Sequence, residues 1–123
     1  MNWNTRRQPE NIPDISEIYA LLLRLGLTPN YTGFFHIAYA VHLAVQRPER
    51  LRMVTKWLYP EVAKNYKTTW KCVERNIRTA AAIVWEAEPE QLAALAGHPL
   101  SRKPTVSEFL SLLAMHFLLD AEE

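Results

Sequence analysis

YPEVAKNYKTTWKCVERNIRTA, residues 59–80, is the stretch on which the fold turns. Pro60 suits the first turn of a short helix that ends near Tyr66. A longer helix is expected from about Thr69 to Ala87, so the chain must turn sharply between the two. A helix-turn-helix makes three demands on such a segment. A small residue must let the helices approach, and Ala63 supplies it. The turn follows four positions later, at Lys67. Six positions further on, Val73 can pack back onto the first helix, to which Val62 and Tyr66 add apolar contacts. Glycine is more usual at the turn than lysine, and a small or apolar residue is more usual where Asn76 stands.

Angular position sorts the longer helix into two faces. At about 100° per residue, with Lys71 at zero, Glu74, Arg75 and Arg78 fall near −60°, +40° and −20°. Val73, Ile77, Ala80, Ala81 and Val84 fall between about 180° and 280°. The charges lie in the first half of the helix, the part that enters a major groove. An ordinary amphipathic helix with an arginine-rich outside is the competing reading.

Charge is concentrated around this segment. Residues 47–78 hold nine Lys or Arg against three Glu, and residues 86–123 hold two basic against seven acidic residues. The formal net charge of the chain is only +1, so the basic zone is local. Such a stripe is the footprint expected for a polyanion, with a solvated helical face as its alternative. Arg75 and Arg78 carry forked donors suited to guanine or phosphate, and Lys71 can reach either. Glu74 can accept from cytosine N4 or orient Arg75 or Arg78 by ion pairing. Lys64 and Lys67 are candidate phosphate clamps. Thr68 and Thr69 can cap the helix and donate to phosphate. Trp70 points towards the apolar side and reads as a packing residue.

The rest of the chain reads as helices. Residues 1–13 lack periodicity and read as a flexible arm, leaving 14–123 as one helix-turn-helix domain. Asp14 can cap a helix to about Leu25, with Ile15, Ile18, Leu22 and Leu25 on one face. Thr32 to about Gln46 is apolar nearly all round and reads as the central buried helix. Pro48 opens a helix to about Leu58. EPEQLAALAG forms a short helix stopped by Gly97. Thr105 and Glu108 form a capping-box pattern that opens a last helix to about Leu119. No segment alternates with period two. The expected fold is an all-α bundle of six to seven helices, like a winged helix without a clear wing. Phe34, Phe35, Tyr39, Trp57, Tyr59 and Trp85 read as core.

Several function classes find no support. The single cysteine, Cys72, excludes an internal disulfide framework and suits a reducing compartment. IYALLLRLGL is interrupted by Arg24, so it is neither a signal segment nor a membrane span. The four histidines and Cys72 show no metal spacing, and no catalytic or cofactor motif is present. Cys72 reads as a surface thiol, or as a redox-sensitive one whose pKa Lys71 and Arg75 lower.

LYPEVAKNYKTTWKCVERNIRTAAAIVW, with LGL at 25–27, TGFFHIAYAV from Thr32 and KPTVSEFL from Lys103, resembles the C-terminal DNA-binding domain of the stage-zero sporulation master regulator. The likeness spans roughly residues 14–119. It implies an all-helical effector domain, tandem head-to-tail binding to repeated operator boxes, and contact with the RNA polymerase sigma subunit. Glu74, Arg75 and Arg78 keep the family's recognition-helix identities. Lys71 stands where the family has serine, and Cys72 where it has a base-reading arginine, which removes a guanine-type contact. The family's receiver domain has no counterpart in this sequence, so switching by phosphorylation is not expected. The segment matching the sigma-contact region, EAEPEQLAALAGHPLSRKP, is acidic and shorter. The leading expectation is a cytoplasmic bacterial regulator that binds duplex DNA, without cofactor or enzymatic activity. The alternative is an interaction module that dimerises with or antagonises a full-length regulator or sigma subunit.

Overall fold

The structure, a computed structural model, describes residues 12–120. Most of the arm expected at 1–13 lies outside the described residues, as do 121–123. Among the described residues there are seven α-helices and no strand: α1 (Ile15–Arg24), α2 (Thr32–Gln46), α3 (Val54–Trp57), α4 (Tyr59–Asn65), α5 (Trp70–Ala87), α6 (Pro89–Ala96) and α7 (Val106–Asp120). None of them is long and apolar enough to cross a membrane.

Local chemistry sets the helix ends. The Asp14 carboxylate accepts from the Ser16 amide at 3.4 Å, and Glu17 accepts from the Asp14 amide at 2.9 Å, a capping box that starts α1. Gly26, at φ +85°, ends it. There the Leu27 amide donates to the Leu22 carbonyl and the Gly26 amide to the Leu23 carbonyl, both at 3.0 Å. Leu27 then drops fully into the core. The box at Thr105 and Glu108 forms as expected, with bonds of 2.9 and 3.2 Å.

α2 is the central helix. Phe34, Ile37, Ala38, Ala40, Val41 and Ala44 are all buried, and α1, α4, α5 and α7 pack around it. Each large apolar side chain buried this way contributes about 1.5–3 kcal/mol before entropy is counted. α1 presents Ile18 and Leu22, and α7 presents Phe109, Leu110 and Leu113, all fully buried. His36 is also buried, at 3% exposure, and its Nδ1 has no hydrogen-bond partner among the described residues. Burial lowers its pKa below the ordinary 6.5.

Two expectations need correction. The helix expected from Pro48 to Leu58 is broken: Pro48–Arg52 is a 3-10 turn, Met53 is extended (φ −144°, ψ 74°), and α3 follows. Each piece is held by a different neighbour. Arg50 donates to the Leu43 carbonyl at 3.3 Å, closing the open end of α2, while Leu58 is fully buried in the core. Met53 between them is half-exposed. The second correction concerns the aromatics. Phe34 and Tyr59 are buried and Phe35, Tyr39 and Trp85 partly so, but Trp57 is 39% exposed. It ends a four-residue helix with no fully buried side chain, too short to bury a whole face.

Candidate nucleic-acid interface

α4 and α5 form a helix-turn-helix. The turn after α4 passes through Lys67, whose φ of +54° places it in the left-handed region. The Thr68 amide donates to the Ala63 carbonyl at 2.9 Å and the Lys67 amide to the Lys64 carbonyl at 3.3 Å. This is the hydrogen-bond pattern that glycine usually closes, with lysine in glycine's place. Ala63 is buried, and Val62 and Val73 are fully so. Tyr66 supplies its ring contacts to α2. It is 37% exposed, and it packs on α2: its hydroxyl donates to the Phe35 carbonyl at 3.3 Å, and its ring lies 5.1 Å from His36 and 6.0 Å from Tyr39.

α5 begins at a cap. Thr69 is extended, and its hydroxyl accepts from the Cys72 amide at 3.2 Å. The two faces read from the sequence are present. Val73, Ile77, Ala80, Ala81 and Val84 are buried, whereas Lys71, Arg75 and Arg78 are exposed. Glu74 is half-buried and pairs with Arg78 at 3.2 Å, so of its alternatives the ion pair with Arg78 is the one formed. Trp70, expected to pack, is instead 38% exposed, with the Lys71 ammonium 5.7 Å from its ring. The buried stripe of α5 starts only at Val73, beyond Trp70.

Cys72 is half-buried and sits among donors. Arg75 Nη2 lies 3.7 Å from its sulfur and Asn76 Nδ2 lies 3.6 Å away. A hydrogen bond with Thr68, then the charge and hydrogen bond of Arg75, then Asn76, pull the thiol pKa below its usual 9.0. Lys71, expected to share in this, takes no part; it lies over Trp70. Thr68 therefore serves the thiol, and Thr69 alone caps the helix.

Of the remaining basic residues, Lys64 and Lys67 are exposed at the turn. Tyr59 lies fully buried at the start of α4, its phenol pushed up to about 12 by burial and by Glu74, against the opposing pull of Arg78.

One residue escaped the sequence reading altogether. A Cβ at Gly33 of α2 would clash with the Asn76 carbonyl oxygen and stand 2.9 Å from the Ala80 Cβ. Gly33 thus lets α2 and α5 approach closely. The available signal was a glycine inside an otherwise apolar helix, which calls for a packing reason.

A family model described as the C-terminal part of sporulation initiation factor Spo0A matches residues 18–117, from within α1 to within α7.

Proposed function

Because the chain belongs to the family of the Spo0A C-terminal domain, we propose that it is a sequence-specific regulator of transcription that inserts α5 into the major groove of duplex DNA. The family is one of DNA-binding effector domains in sporulation control, and not one of enzymes. Residues 14–123 are the DNA-binding unit in this reading. Lys71, Glu74, Arg75 and Arg78 read bases, with Glu74 holding Arg78 in place. Lys64, Lys67, Thr68 and Thr69 meet phosphate. The working compartment is the cytoplasm, copies bind in tandem, and the RNA polymerase sigma subunit is the further partner.

The observation that carries the proposal is the layout of α5. Its exposed cations lie in its first half, opposite a buried stripe that fixes the helix against the core. A duplex selected by the chain from a random pool supplies the probe. Arg75→Ala and Arg78→Ala should each weaken binding to it by roughly 1–3 kcal/mol. If both bind it like wild type, α5 is not the reading helix. Repeating the selection with Cys72→Arg should sharpen the preference at one base position, because a guanidinium there regains a guanine-type contact. Failure to bind any duplex at low salt, together with tight binding to a full-length regulator, would favour an interaction module instead.

A further inference from the structure

We propose that Lys103, in the loop between α6 and α7, is an additional DNA-backbone contact that meets a phosphate flanking α5, beside the base-reading Arg78; this rests on α5 being the inserted helix. Lys103 is remote in sequence from the helix-turn-helix, yet it shares two surface clefts with Arg78. The first, of about 430 Å³, is walled also by Tyr59, Glu74 and Thr105, and the second by Glu86. Two cations from separate elements therefore line the same clefts beside the reading helix. The one carboxylate in the first cleft, Glu74, is already engaged by Arg78 at 3.2 Å. The cleft keeps a positive excess that a phosphate oxygen would neutralise.

The adjacent basic residues divide the work. Arg102 is spent internally: it binds both Glu108 oxygens, at 3.0 and 3.1 Å, and donates to the Lys103 carbonyl at 3.3 Å. Lys103 has no ion pair among the described residues and is exposed. The backbone on either side of it is fixed, by Arg102 before it and by buried Pro104 and the Thr105 cap after it. An ammonium presented from a rigid loop loses little freedom on binding. The competing arrangement, in which Lys103 pairs with Glu86 across the second cleft, predicts no effect on DNA.

The test measures binding of the 123-residue chain to its selected duplex, and to a scrambled one, across potassium chloride concentrations. Lys103→Ala should lower the slope of log K against log salt by about 1, with equal proportional loss on both duplexes. Lys103→Arg should keep the wild-type slope. Neutralising flanking phosphates one by one as methylphosphonates should weaken wild type at a position where Lys103→Ala is unaffected. An unchanged slope and methylphosphonate profile for Lys103→Ala, with Arg75→Ala still weakened, overturns this inference and leaves the role of α5 standing. If wild type binds neither duplex, both fall together.

Discussion

Lys67 pays for its place at the turn with backbone strain. A non-glycine residue in the left-handed region costs on the order of 1 kcal/mol, and Lys67 sits there at φ +54°. The proposed phosphate contact supplies a reason to keep lysine where glycine would fold better. Lys67→Gly should therefore raise the free energy of unfolding by about 0.5–1 kcal/mol in urea titrations while weakening duplex binding. A variant that is both less stable and equally tight would refute this trade. Cys72 teaches the complementary lesson. Its position on the helix was legible from spacing, but its hydrogen-bond partners were not. Thr68 reaches it from outside the helix, across a turn whose geometry depends on the conformation of Lys67.

Among elements, α2 and α5 approach closely at Gly33. Gly33→Ala must push α5 outward or strain it, at a cost of roughly 1–3 kcal/mol, and under the proposed function it should weaken duplex binding more than the stability loss alone explains. Retention of both wild-type stability and affinity would show that the helices can separate freely. At the start of α7, the hydrogen bond and charge of Arg102, with the Thr105 amide, hold the Glu108 carboxyl at about 2, below its usual 4.5. A depressed folded pKa contributes stability that is complete above 4.5 and is lost as pH falls towards 2. Glu108→Gln should flatten that part of the acid-unfolding curve. Helix ends were legible because they are local: Asp14, Thr69, Gly97 and Thr105 each act within a few residues of themselves. The break at Met53 was not, because the bond that shapes it runs from Arg50 to Leu43 in a different helix. Nor was the contact at Gly33, whose partner carbonyl belongs to Asn76 in α5.

For the molecule as a whole, formal charge overstates what is free to meet DNA. Arg50 is held by the Leu43 carbonyl and Arg78 shares Glu74. Stability should also depend on mild acid. His36 is buried with its pKa lowered, so the unfolded chain takes up a proton near 6.5 that the folded chain resists. The stability contributed by keeping it neutral is present above that pH and is lost as pH falls below it. Denaturation midpoints should drop between pH 7.5 and 5.5, and His36→Leu should shrink the drop; an equal drop in both proteins would assign it elsewhere. The all-helical core was readable throughout from apolar spacing, whereas exposure of Trp57 and Trp70 depended on where neighbouring helices stop. The two faces of α5 have a further consequence, for descent. Outward positions such as Lys71 and Arg75 can be exchanged with little cost to folding, because the stripe from Val73 to Val84 and the contact at Gly33 hold the helix from the other side. Under the proposed function, what the domain reads can therefore change while the frame that presents it is kept.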